Sequence, residues 1–469
     1  MYLAHAFGER YDLPLPLVLF VLGGALVVVL SFVLVLGRQV EDVPAPVAAP
    51  RESPSTGHGG SWWGAAGLLL TAALVWVGFA GSQEVAENLL PTVFWLLVWI
   101  AVPLSCGLLG DWTRPVNPFA FLARLADRPA TRRAVLARTA PLPWPERLGW
   151  WPAVSLYFAL ACGELVFNLT TTIPHVIALG LVLYAGGNLL AGLLWGEAWL
   201  ARGEVFSVLF ATWGRLGWFR FGAPGRRRFG GGLAEGFEDS PSRIAFVLLL
   251  LISVNFDGLL ATPRWAAYEQ RVVGPGGDLN GFRIAAFVAL ALVVTAVFGG
   301  FAYAAARAGR HGLGPRRALA GLLPSLLPIA FAYLLAHNLQ YLLVNAQLLG
   351  PLLGNPIGRA SWPLHLPYPF NDTFDPHPAF LPSAFYWYAG VVAIVGAHVL
   401  AVVLAHHYLG RRAPDRRTAR ASEYPWLVAM VAYTTVSLIL IAQPLTKETG
   451  SAAHTGALPG VGRTTGPVR

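Results

Sequence analysis

Apolar runs of 18 residues or more recur along the whole chain, and each is long enough to cross the ~30 Å hydrocarbon core of a bilayer. Few features restrict a fold more, because backbone that meets lipid must satisfy its own hydrogen bonds. With no alternating strand pattern, that leaves a bundle of helices. Composition agrees: 55% of the 469 residues are hydrophobic and 12% are charged, against about a quarter charged in a soluble domain.

Hydropathy predicts ten spans, at residues 14–36, 61–80, 88–110, 150–171, 174–199, 243–261, 282–306, 321–348, 384–409 and 425–443. Their direction follows from Lys and Arg, which gather in cytoplasmic loops. The five alternate loops 37–60, 111–149, 200–243, 307–320 and 410–424 hold 25 of the 33 basic residues. Adding or dropping one span would scramble that alternation. The expectation is an all-α polytopic bundle of about ten transmembrane helices with both termini extracytoplasmic. The net charge of +9 is thereby read as topology, with the lipid bilayer as partner and no nucleic acid.

Residues 1–36 form an outer N-terminal motif and first span. Residues 37–60 are a Pro/Ser/Gly-rich cytoplasmic linker, and 61–445 are the helix bundle. Near 203–221, "EVFSVLFATWGRLGWFRF" mixes apolar residues with Arg215, Arg220, Trp213 and Trp218. It reads as a helix lying in the interface. The segment 350–383 carries eight prolines and reads as an extracytoplasmic cap, and the Gly/Thr-rich 446–469 as a disordered tail. Cys106 and Cys162 are expected to be separate, buried thiols.

Polar groups at membrane depth are the functional signal, because inserting an ionisable side chain costs ~2.5–3.5 kcal/mol even on lenient scales. The stretch "AYLLAHNLQYLLVNAQLL" places His337, Tyr341 and Asn345 on one helical stripe, with Gln340 and Gln347 on the next. Glu164 in "CGELVFNLTTT" and Asp257 in "ISVNFDGLLATPRW" each lie 14 residues into an outward-running span, roughly 21 Å up at 1.5 Å per residue. No Lys or Arg lies within either span beyond Arg243 at the start of the second. The three groups therefore share a level in the outer half, and His175 begins the fifth span at the outer end. Glu164, Asp257 and His337 are the candidate catalytic groups. Asn168, Gln340, Tyr341 and Asn345 are the expected wall of the site. "LYAGGNLLAG", with Gly186, Gly187 and Asn188, is a candidate unwound stretch, and His365, Asp372, Asp375 and His377 a weaker outer cluster. Phosphate-binding loops, HExxH, CxxC and GxSxG are absent, so no cofactor-binding residue is assigned.

"AHAFGERYDLPLPL", "NFDGLLATPRW" and "HNLQYLLVNAQ" resemble a group of bacterial polytopic membrane proteins labelled fenitrothion hydrolase, over most of the chain. The resemblance implies a multi-pass protein of the bacterial cytoplasmic membrane that hydrolyses an organophosphate-type ester. It also leads us to expect a signal sequence ahead of the first motif, and it carries no catalytic motif that maps onto this chain. Such hydrolysis suits a divalent metal ion, which acidifies a bound water and polarises the phosphoryl oxygen. His337, Asp257, Glu164, His175 and His5, at whose mouth Asp12 lies, have the N/O donor types for one. Two other classes stay open for the same residues. One is a proton- or cation-coupled carrier of a small-molecule substrate; the other is an accessory subunit of a membrane complex whose polar groups only join helices.

Overall fold

A computed structural model describes residues 62–221, 229–234, 236–377 and 380–442, with helical positions 26, 29 and 30 ahead of them. The first span as a whole, the linker 37–60, His5, Asp12 and the tail 446–469 lie outside the described residues.

The described chain is helical from end to end and contains no strand. In order, the helices are α1 (Trp62–Ala80), α2 (Leu89–Leu109), α3 (Pro118–Ala126), α4 (Pro129–Leu136), α5 (Trp151–Leu165), α6 (Asn168–Thr171), α7 (Pro174–Trp195) and α8 (Glu197–Arg202). There follow α9 (Val205–Gly214), α10 (Pro241–Leu260), α11 (Pro263–Val273), α12 (Leu279–Ala308), α13 (Pro315–Asn345), α14 (Leu349–Gly354), α15 (Ser383–Gly410) and α16 (Arg416–Ala442). Pro opens many of them, where its missing N–H has no partner to lose.

Seven of the described helices are long and apolar enough to cross a membrane: α1, α2, α7, α10, α12, α13 continued through α14, and α15. Two of the other expected spans are shorter or more polar. α5 has 15 residues and stops at a break at Val166 and Phe167, where its last amides both bond to the Cys162 carbonyl. α16 carries Arg416, Arg417, Arg420 and Glu423 in its first turns. The surface is that of a protein embedded in an apolar medium. Leu69 (72% exposed), Leu292 (66%) and Val392 (71%) face outward in the middle of long helices, more apolar surface than water tolerates.

Three helices share a direction, which positions the site. α5 and α10 start together, where Ser242 Oγ accepts the Trp150 amide (2.9 Å). Asp239, just before α10, pairs with Arg317 at the start of α13 (3.2 Å). Farther along, Tyr157 and Ser253 hydroxyls bond at 2.9 Å, and α10 meets α13 again at Asp257 and His337. α5, α10 and α13 therefore rise in parallel. α15 runs back along α13: Gly390 packs on Ala336, and Tyr408 on Gly321.

The expected interfacial helix is a correction. α9 forms at Val205–Gly214, but Val205, Phe206, Val208, Leu209, Phe210, Thr212, Trp213 and Gly214 are buried. It packs against α2 and α5 inside the bundle, and Trp218, beyond its end, is exposed. The cause lies at its start. Glu204 is wholly buried and caps the helix by accepting from the Phe206 (3.1 Å) and Ser207 (2.6 Å) amides. It also accepts from Tyr184 Oη (2.5 Å) and Asn117 Nδ2 (3.0 Å). Arg215, counted against insertion, lies past the cap and donates to the Gly236 carbonyl.

α3 and α7 cross closely because Gly192 has no side chain: a Cβ there would stand 2.4–2.7 Å from the Ala123 backbone. Gly186 and Gly187 lie within the unbroken helix α7 rather than in an unwound stretch, and Asn188 is tied to the Tyr184 carbonyl and to Trp199. Cys106 and Cys162 are free and buried.

Candidate functional site

Five helices converge on a cavity of about 40 Å³ lined by Glu164 of α5, Asp257 and Ser253 of α10, His337 and Asn338 of α13, Trp99 and Pro103 of α2, and Leu209 and Trp213 of α9. Two direct bonds organise it. His337 Nε2 and Asp257 Oδ2 share a hydrogen bond of 2.6 Å between α13 and α10. Trp99 Nε1 donates to Glu164 Oε2 at 2.7 Å between α2 and α5. The two pairs face the same cavity. Among the described residues no Lys or Arg lines the cavity.

Local structure sets each of these side chains. Glu164 is one residue from the end of α5, and the break that follows turns the chain away. Trp99 reaches it from a stretch of α2 that is π-helical over Thr92–Ala101, where Val102 N–H bonds to the Leu97 carbonyl five residues back. Pro103, which has no N–H, deprives the Trp99 carbonyl of its α-helical partner and favours that wider winding. The same register directs Trp95 Nε1 to the Thr171 carbonyl (3.1 Å), so two indoles from one helix grip both sides of the break. π-helical stretches frequently mark functional sites. Below, Trp99 stacks on Tyr157 (5.4 Å between centroids), whose hydroxyl bonds Ser253 one turn before Asp257.

The remaining expected site residues go elsewhere. His175 is exposed, and its Nδ1 bonds Gln83 Oε1 (2.8 Å); it starts α7 one break beyond Glu164 and faces the end of α1 instead. Asn168 opens α6 beyond the break, and neither it nor Gln340 lines the cavity. Tyr341 and Asn345 line a separate small space with Thr92, Trp95 and Thr172, and Asn345 Nδ2 donates back to the Tyr341 carbonyl (2.8 Å). Gln347 holds the proline-rich segment through the His377 amide (3.0 Å) and carbonyl (3.2 Å). His398 bridges α15 and α16, bonding the Ile394 carbonyl and Thr434 Oγ1. Sequence reasoning missed Trp99, Tyr157 and Ser253. The signal for Trp99 was an indole in mid-span with proline four residues later.

The donor set does not fit a divalent metal. Among the described residues no three His, Cys, Asp or Glu side chains stand together as ligands; His175 is turned away and His5 is outside the described residues. The described residues alone do not bring His337, Asp257, Glu164 and His175 together as a ligand cluster.

What the arrangement can do is hold and move protons. A cavity this size has room for about two or three waters, and among the described residues its walls present two carboxylates and an imidazole with no Lys or Arg. Ligand pockets for drug-sized molecules run to ~300 Å³ and more. Comparisons with protein-family models, with curated proteins and with solved structures find no match.

Proposed function

We propose that this is a multi-pass protein of the bacterial cytoplasmic membrane, with ten spans and both termini outside, that couples proton movement to the transport of a small molecule. Glu164, Asp257 and His337 are its proton-carrying groups, in the outer half of the bilayer. The carrying observation is that two carboxylates and an imidazole from three parallel helices face one water-sized cavity with no Lys or Arg from the described residues. Neighbouring sites that trade protons titrate as a unit, which a coupled carrier needs. The 2.6 Å bond between Asp257 and His337 gives the unit a proton shared between α10 and α13, so a change in protonation alters the contact between two helices.

The test is a proteoliposome with a pH-sensitive dye inside, challenged with a panel of small metabolites. A solute that drives proton movement through the native protein and not through E164Q or D257N supports the reading. Solute uptake that proceeds unchanged in both variants without proton movement would sink it.

Hydrolysis of an organophosphate-type ester is the second reading, and one observation favours it. A carboxylate that orients an imidazole is the arrangement of a general base acting on water, and a water-sized cavity adjoins His337. The same proteoliposomes incubated with a phosphotriester decide it: product release abolished in H337Q supports hydrolysis, and no release from native protein excludes it.

A further inference from the structure

We propose that the bundle binds a phosphate-type anion in a second cavity, at its arginine-rich end, between the start of α13 and the end of α15. That space measures about 400 Å³, in the range of a ligand pocket. Among the described residues Arg317, Arg411 and Arg412 line it, with Tyr408, His407 and one acid, Asp239. Three guanidinium groups against one carboxylate leave a positive excess.

The geometry is built rather than incidental. Arg412 lies over the Tyr408 ring at 4.0 Å and donates to the Tyr408 carbonyl (3.2 Å), so its fork has a fixed seat. Tyr408 is seated in turn by Gly321: a Cβ there would stand 1.8 Å from the phenol oxygen. α13 begins on this side without a side-chain cap, so its first amides add the positive end of a 31-residue helix. A planar fork and helix-end amides both suit phosphate oxygens.

The neighbouring basic cavity differs in kind. It holds more arginines, but Arg124 pairs with Glu197 (2.8 Å), Arg114 with Asp111 (3.3 Å), and Arg243 is held by aromatic rings and Thr212. Its charges serve the fold. Around the α13–α15 cavity, Asp239 is shared by Arg316 and Arg317, so a phosphate group would find uncompensated charge.

A phosphate group could arrive on an anionic phospholipid of the adjoining leaflet or on a soluble phosphate ester. The test uses full-length protein in a neutral detergent. One arm measures binding of inorganic phosphate and pyrophosphate; the other measures retention of phosphatidylglycerol over phosphatidylcholine by native mass spectrometry. The double variant R411A/R412A removes two charges from the cavity, and R416A/R420A removes two from α16 outside it. R412K keeps the charge and loses the fork, so it reads geometry in a folded protein.

We expect at least a tenfold loss of binding in R411A/R412A, a smaller loss in R412K and none in R416A/R420A. Binding in the first arm identifies a soluble ester, and binding in the second alone identifies a lipid headgroup. Binding in neither arm, or equal losses in the two double variants, overturns the proposal. So does a loss in R411A/R412A with R412K wholly native.

Discussion

Asp257 on α10 and His337 on α13 lie 80 residues apart in sequence and share a hydrogen bond of 2.6 Å. It ties together the two helices that also meet at Asp239 and Arg317, so α10 and α13 are clamped at both ends of their contact. Breaking the upper clamp removes a hydrogen bond between two partly exposed side chains, worth ~0.5–1.5 kcal/mol. D257N and H337Q should each lower the melting temperature in detergent and abolish proton movement at least tenfold. A variant that loses stability while keeping full proton movement would separate the clamp from function.

Trp99→Phe keeps the ring that stacks on Tyr157 and removes only the N–H bonded to Glu164. The expected loss of stability is ~1–2 kcal/mol, with solute-driven proton movement altered in its pH dependence. Trp95→Phe, which removes the bond to the Thr171 carbonyl, serves as the comparison: similar destabilisation, unchanged pH dependence.

Asn117 caps α3 by accepting from the Phe119 (2.9 Å) and Ala120 (3.1 Å) amides and donates to the buried Glu204. Asn117→Ala removes a cap worth ~1 kcal/mol and leaves a buried acceptor short of a donor, ~1–3 kcal/mol more. Chemical denaturation should register the sum. A change below 0.5 kcal/mol, about the scatter of surface substitutions, would mean that α9 is anchored by other contacts.

Gly192→Ala places a methyl group against the Ala123 backbone and should destabilise by ~1–3 kcal/mol or more, the cost of overpacking. Gly186→Ala, whose Cβ would meet nothing within 4 Å, should be neutral or stabilising in the same helix.

His311, in the turn between α12 and α13, has its pKa held below the ordinary 6.5 by burial first and by the Arg412 charge second. Above pH 6.5 it is neutral folded or unfolded and contributes no pH dependence. As pH falls below 6.5 the unfolded chain takes up the proton and the folded one resists, so stability falls until the lowered folded value is passed. His311→Gln should flatten that part of the melting-temperature profile. An unchanged slope between pH 6.5 and 5 would assign it to other groups.

The all-helical architecture and positions along each helix were legible because both follow from local sequence: length, hydropathy and residues counted from a helix start. That arithmetic brought Glu164, Asp257 and His337 to one level, and parallel packing of α5, α10 and α13 brings them to one cavity. Azimuth and neighbours are not local. His175 and Asn168 lie one break past Glu164, and the break at Val166 and Phe167 directs them elsewhere. The burial of α9 was illegible for a similar reason: its polar anchors, Asn117 and Tyr184, sit just ahead of α3 and on α7.

Infrared titration of the purified protein tests the central claim most directly, because a protonated carboxyl group has a C=O stretch that its ionised form lacks. If Glu164, Asp257 and His337 exchange protons as a unit, the native protein shows a carboxyl band that changes with pH. E164Q and D257N each diminish it, and H337Q moves its midpoint. Carboxyl spectra of all three variants that follow the native titration throughout would contradict the account.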